Sequence, residues 1–130
     1  MAIKSQIKVL IAEDDKFLRN VLKVKLAAEG FRVLAAEDGE ETLAVIASGK
    51  PDILLLDIIM PKKNGFDVLE DIQLKGGKML PVIILSNLGQ EEDIKRGLAL
   101  GAVDYLVKSD HSLKEVVDKV KTCVAQGRGK

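Results

Sequence analysis

"DILLLDIIMPKKNG", residues 52–65, carries four consecutive apolar residues from Ile53 to Leu56 and three more from Ile58 to Met60, with Asp57 between them. A polar-bounded run this short suits a strand buried on both faces better than a helix. An aspartate inside such a run is costly, because a buried charge without a partner loses much of its hydration energy. Asp57 therefore marks where the strand stops, and "IIMPKKNG" after it reads as a loop. The charge at that edge needs a reason.

Four further runs have the same character: "IKVLIAE" (residues 7–13), "FRVLAA" (31–36), "PVIILS" (81–86) and "VDYLVK" (103–108). Between them the apolar period becomes helical. Leu18, Val21, Leu22 and Leu26 share one stripe, and Leu113, Val116, Val117, Val120 and Val124 share another. Asp15 is placed to favour the start of the first helix. Asp38 with Glu41, and Ser112 with Glu115, have capping-box spacing, while Gly30 and Gly101 are placed to end helices. "KGGKMLP" (75–81) reads as a loop without the GxxxxGK(S/T) pattern that cradles phosphate, and "AQGRGK" (125–130) as a frayed tail. Five strand–helix units in alternation imply right-handed crossovers and an α/β fold, a parallel sheet with helices on both faces.

The 130 residues form a single domain on this reading, with a core at about residues 7–125 and short tails. A composition 47% hydrophobic and 31% charged excludes a disordered chain. Lys plus Arg and Asp plus Glu both number 20, so no global charge draws the protein to nucleic acid or to an anionic membrane. No apolar run approaches the length of a membrane span, and the N-terminus lacks the apolar stretch of a signal peptide. Cys123 is the only cysteine, which excludes an internal disulfide and fits a cytoplasmic location. With nothing resembling a DNA-binding or enzymatic domain in the sequence, the chain reads either as a protein acting alone or as an excised piece.

In open parallel sheets, functional groups collect beyond the carboxyl ends of the strands. Here the strands end in Glu13, Asp14 and Asp15, in Asp57, in Ser86 with Asn87, and in Lys108. Carboxylates converging on one edge repel, by roughly 3 kcal/mol per pair at about 5 Å and an effective dielectric near 20. One lysine cannot neutralise them all, whereas a hard divalent cation with oxygen ligands can; Mg²⁺ suits carboxylates, water and a phosphate. A metal at that edge supplies the reason for Asp57.

The ordered set "KVLIA" with Glu13-Asp14, "AEDG" (36–39), "LLLD" through "MP" to "NG" with Asp57, Met60, Pro61 and Gly65, then Ser86, Tyr105 and Lys108, resembles the receiver domain of the two-component response-regulator family. The resemblance spans essentially the whole chain and is to a single-domain, chemotaxis-regulator-like receiver. It implies a flavodoxin-like sheet of order 2-1-3-4-5, and a phosphoryl group passed from a histidine kinase or phosphotransfer protein to Asp57. By the same resemblance, Asp14 binds Mg²⁺ directly, Glu13 through water, and Asp57 and the Ile59 carbonyl complete the protein's ligands. Lys108, the Ser86 hydroxyl and the Asn87 backbone hold the phosphoryl oxygens, and Tyr105 swings inward as Ser86 moves. Ile59 and Leu88, two residues beyond Asp57 and Ser86, flank the path of the hydrolytic water. Neither can hydrogen-bond that water, and Asn87 adds shielding, so dephosphorylation is expected to be slow. The chain then catalyses its own phosphorylation and slow dephosphorylation without being a turnover enzyme, and signals to a downstream protein or through a phosphorylation-dependent homodimer. Family members commonly carry proline after this lysine, in cis. Ser109 stands there instead, and a cis bond to serine costs roughly 3–4 kcal/mol, so a trans bond is expected.

Taken singly, these residues have plainer readings. Glu13 and Asp14 can serve a helix N-terminus, Lys108 a solvated strand end, Ser86 a turn and Tyr105 the core. His111 reads as an exposed loop residue and Cys123 as packing. Two other functions compete. A haloacid-dehalogenase-type phosphatase or hydrolase also sets an aspartate at a strand end but requires a second one two positions on, where this chain has Ile59. A degenerate receiver used as a binding module would lack site residues that are present here.

Overall fold

The computed structural model describes residues 6–76 and 80–128. Residues 77–79 of the expected loop at 75–81, and the tail residues 129–130, lie outside the described residues. Strands β1 (Lys8–Ala12), β2 (Arg32–Ala36), β3 (Ile53–Leu56), β4 (Val82–Ser86) and β5 (Asp104–Val107) alternate with helices α1 (Lys16–Ala28), α2 (Gly39–Gly49), α3 (Gly65–Leu74), α4 (Glu91–Ala99) and α5 (Leu113–Arg128). All strand pairs are parallel and the order is β2-β1-β3-β4-β5, the flavodoxin-like topology that the family resemblance implies.

Alternation along the strands sorts the core into two layers. Leu10, Ala12, Leu54, Leu56, Val82, Ile84 and Tyr105 pack on one face with residues of α2, α3 and α4, among them Ile46, Phe66, Leu69 and Ile94. Val9, Ile11, Ile53, Leu55, Ile83, Leu85 and Leu106 pack on the other with Leu22 and Leu26 of α1 and Val116, Val117 and Val120 of α5. The central strands β3 and β4 are buried throughout, whereas the edge strand β2 is fully buried only at Ala36. Among the described residues no helix is long and apolar enough to cross a membrane.

Register sets what stands at the edge. Ala12 pairs with Ala36 on one side and Leu56 on the other, so β1, β2 and β3 end level. The next backbone bonds continue the ladder, Glu13 N–H to the Ala36 carbonyl at 3.0 Å and Asp57 N–H to the Ala12 carbonyl at 2.9 Å. Glu13 and Asp57 are thereby neighbours before their side chains are considered.

Most of the expected boundaries hold. Asp15 caps α1 by accepting the Leu18 N–H at 3.1 Å, and Ser112 and Glu115 form a reciprocal capping box. Gly30 and Gly101 follow α1 and α4 with φ of +98° and +109°, where a side chain would be strained. A second box, Asn64 with Asp67, starts α3.

Three expectations are corrected. Asp38 accepts the Glu41 N–H at 2.7 Å, but the Glu41 carboxylate takes the Glu37 N–H at 2.7 Å, so the box is not reciprocal. The extended backbone of Asp38 (φ −149°, ψ 172°) carries the preceding N–H into reach instead of its own. The tail does not fray at Ala125: α5 runs to Arg128, because a helix already anchored on the core through Val120 and Val124 extends at little cost per residue. His111 is only 27% exposed, its Nδ1 lacks a hydrogen-bond partner and lies 4.0 Å from Glu115, because a 3₁₀ turn at Lys108–Asp110 folds the chain back toward α5.

Leu54 is fully buried in a central strand, so Leu54→Ala should cost about 2–5 kcal/mol of unfolding free energy. Phe17 is 78% exposed on α1, and Phe17→Ala should change stability by no more than about 0.5 kcal/mol. Urea denaturation of the two variants beside the parent chain checks both figures.

Candidate functional site

The site lies where β1, β3, β4 and β5 end. Lys108, the first residue after β5, places its Nζ 2.8 Å from Glu13 Oε1 and 2.9 Å from Asp57 Oδ2. Asp57 is 5% exposed, and its other oxygen accepts the Ile58 N–H at 2.7 Å and the Ile59 N–H at 3.3 Å. These bonds answer the cost of burying a charge at this strand end. Glu13 is 2% exposed, and its second oxygen accepts the Asp15 N–H at 3.0 Å. Asp14 is exposed, and carboxylate oxygens of Glu13, Asp14 and Asp57 lie within 4.8 Å of one another. Three hard oxygen donors with a surplus of negative charge fit a small divalent cation.

The electrostatics show the same surplus. Burial pushes the Glu13 carboxyl up to about 7, and the Asp57 charge adds to this against the bonds from Lys108 and Asp15. Burial opposes the charge on Lys108, yet its bonds to Glu13 and Asp57 outweigh that and raise its pKa above the ordinary lysine value. One ammonium serves two carboxylates and leaves one of them under-compensated.

On the β4 side, Ser86 is completely buried and its Oγ accepts the Leu88 N–H at 3.3 Å. Tyr105 is 8% exposed, and its hydroxyl donates to the Leu88 carbonyl at 2.6 Å. Its ring therefore sits inward, and burial raises its pKa. Asn87 is exposed; the Leu88 side chain packs against the core, while Ile59 stands 55% exposed beside Asp57. The Lys108–Ser109 bond is trans, as expected, since no cis peptide occurs among the described residues. Cys123 packs against the α1–α5 side of the core, as expected.

Sequence reasoning missed three contributors. Arg19, one turn into α1, donates to the carbonyls of Glu13 at 2.8 Å and Asp14 at 3.4 Å, pinning the acidic loop from behind. Nothing in its sequence position separates it from the other basic residues of α1. Gly65 belongs to the motif by residue type, but its physical reason is a close approach: a Cβ there would lie 2.5 Å from the Asp57 carbonyl oxygen and 2.8 Å from Ile58 Cα. Only glycine lets α3 start this close beneath Asp57. The third is the Leu88 backbone, whose N–H engages Ser86 and whose carbonyl engages Tyr105. Backbone groups leave no trace in residue types.

Glu13 generates a pH dependence. Between the ordinary glutamate value of 4.5 and about 7 the unfolded chain ionises Glu13 while the folded chain keeps it protonated. The folded state then binds more protons, so the contribution of Glu13 to stability is complete below 4.5 and is lost as pH rises toward about 7. In EDTA, urea unfolding at about pH 5 and about pH 8 should show a loss on the order of 1–3 kcal/mol from this group. Glu13→Gln should remove that part of the pH slope.

Residues 9–121 match the family model of the response regulator receiver domain. The chain is 45% identical over 114 residues to the transcriptional regulatory protein CpxR of Klebsiella pneumoniae, covering 88% of this chain and 47% of that protein. It is 38% identical over 119 residues to the probable transcriptional regulator ycf27 of Guillardia theta, covering 92% and 46%. The chain thus spans about half the length of the curated relatives it matches. Among solved structures, the receiver domain of the Francisella response regulator 1452 superposes with a TM-score of 0.87 at 33% identity, covering 94% of this chain and 99% of that one. An acid pair after β1, an aspartate after β3 and a lysine after β5, on this topology and with these relatives, place the chain in the response regulator receiver domain family.

Proposed function

We propose that Asp57 is the phosphoacceptor of this receiver, charged by a histidine kinase or a phosphotransfer protein and read by a downstream protein partner. The observation that carries the reading is the Lys108 ammonium held between the Asp57 and Glu13 carboxylates, with the Asp14 carboxylate alongside. Phosphoryl transfer asks for position and charge neutralisation more than for a general base, and this constellation supplies both. An Asp57 oxygen attacks the phosphorus of the phosphohistidine; the O–P bond forms, the P–N bond breaks, and the imidazole leaves with its electron pair. Asp57 is held for attack by the Ile58 and Ile59 N–H groups on one oxygen and by Lys108 on the other.

Glu13, Asp14, Asp57 and the Ile59 carbonyl would hold Mg²⁺, whose charge would stabilise the transferring phosphoryl oxygens. Lys108 turns from the carboxylates toward the new phosphoryl group as its negative charge appears. The Ser86 Oγ already accepts the Leu88 N–H, so its own proton is the one it offers to a phosphoryl oxygen. The Asn87 N–H is a second donor on the same loop. Ser86 and Tyr105 meet on the backbone of Leu88, which is the route by which Tyr105 and the face around it respond. A phosphatase of the aspartate-nucleophile type would need an acid–base group two residues past Asp57, where Ile59 offers none.

Incubation with acetyl phosphate and Mg²⁺ should add one phosphoryl mass, and Asp57→Asn should remove most of it; undiminished labelling of that variant defeats the assignment. Omitting Mg²⁺ should slow labelling by at least about tenfold, since each tenfold corresponds to about 1.4 kcal/mol of transition-state stabilisation.

The phosphoryl group should also persist. Ile59, exposed beside Asp57 with no hydrogen-bonding side chain, cannot orient a hydrolytic water. Ile59→Asn should accelerate dephosphorylation by about tenfold. Leu88→Glu should do so less, because the Leu88 side chain lies against the core. Loss of phosphate from the parent chain within seconds, or no acceleration in Ile59→Asn, rules the apolar gate out.

A further inference from the structure

We propose that Gly97 is a positioning residue for the Ser86 end of the site and acts through Tyr105. The inference rests on the reading of Ser86 as a phosphoryl-oxygen donor and adds the residue that sets its loop. Gly97 lies buried within α4, where glycine weakens a helix, so its presence serves something other than helix formation. A Cβ at this position would lie 2.5 Å from Ile84 Cδ1, 2.9 Å from Tyr105 Cδ2 and 3.2 Å from Tyr105 Cε2. The Ile84 methyl ends a flexible side chain and can turn away. The Tyr105 ring is rigid, so either it rotates out or α4 lifts.

Lifting is resisted next door. The Arg96 guanidinium stacks 4.2 Å over the ring of Phe66, which is buried in α3, and so ties α4 to α3. Displacement of the ring breaks the Tyr105 hydroxyl bond to the Leu88 carbonyl. The same residue's N–H is the donor to Ser86 Oγ, so the loop carrying Ser86 loosens with it. The missing Cβ at Gly97 is therefore what permits the inward Tyr105 and, through the Leu88 backbone, the Ser86 orientation seen here.

Tyr105 is the only tyrosine and the chain has no tryptophan, so intrinsic fluorescence reports this ring alone. In unphosphorylated, metal-free protein, Gly97→Ala should raise acrylamide quenching of Tyr105 at least twofold and accelerate hydrogen exchange of the Leu88 amide at least tenfold. Leu98→Ala, on the exposed face of the same helix, should change neither. Where Gly97→Ala alone does not fold, Ile84→Val with Gly97→Ala removes the Cδ1 contact and leaves the ring as the obstacle. In phosphorylation by acetyl phosphate, Gly97→Ala should slow labelling of Asp57 several-fold, and the effect should vanish in a Tyr105→Phe background, where the hydroxyl bond is already absent. Unchanged quenching, or raised quenching with unchanged Leu88 exchange, overturns the proposal. Absence of any labelling in the parent chain defeats the phosphoacceptor reading instead and leaves the quenching and exchange results to decide the role of Gly97.

Discussion

The Lys108 ammonium, 2.8 Å from Glu13 and 2.9 Å from Asp57, is the contact on which the architecture of the strand ends depends. Buried charge is tolerated only when paired and hydrogen-bonded, and each partner meets that condition differently. Asp57 has Lys108 on one oxygen and two backbone N–H groups on the other. Glu13 has Lys108 and the Asp15 N–H, yet burial and the Asp57 charge still push its carboxyl up to about 7. The pairing thus holds three strands' ends together while leaving the cluster short of positive charge. That shortfall, with three carboxylates gathered at one edge, suits a small divalent cation.

The rest of the fold serves to keep that shortfall in place. Level ends of β1 and β3 put Glu13 beside Asp57, and the layers of Leu10, Leu54 and Leu56 against α3 leave the strands no freedom to slip. A one-residue slip would turn each buried side chain to the opposite face. Arg19 pins the acidic loop by its carbonyls, and Gly65 lets α3 begin directly under Asp57. On the far side, the backbone of Leu88 joins a hydroxyl of the site to a hydroxyl of the α4–β5 face. Charge chemistry at Asp57 and packing beneath α4 are therefore parts of one connected structure.

The fold was legible because its evidence is periodic. Runs such as Ile53–Leu56 and Val82–Leu85 are apolar at every position because parallel strands are covered on both faces, while the stripe from Val116 to Val124 shows a helix covering one of them. Where the local rule was followed but the outcome differed, a neighbour had intervened. Glu41 found the Glu37 N–H, and α5 continued past Ala125 because its preceding turns were anchored.

The sequence by itself determined which residue types end which strands: acids after β1 and β3, a serine at the end of β4, a lysine after β5. Those identities, with the strand order that the family resemblance implied, bring Glu13, Asp14, Asp57 and Lys108 to one edge. Only the tertiary structure decided that Lys108 is shared between Glu13 and Asp57, that Arg19 and the Leu88 backbone hold the flanking loops, and that Gly97 makes room for the Tyr105 ring. The reason is physical. Burial patterns and strand ends are properties of consecutive residues, whereas a shared ammonium, a backbone carbonyl or an absent Cβ acquires meaning only from atoms many residues away.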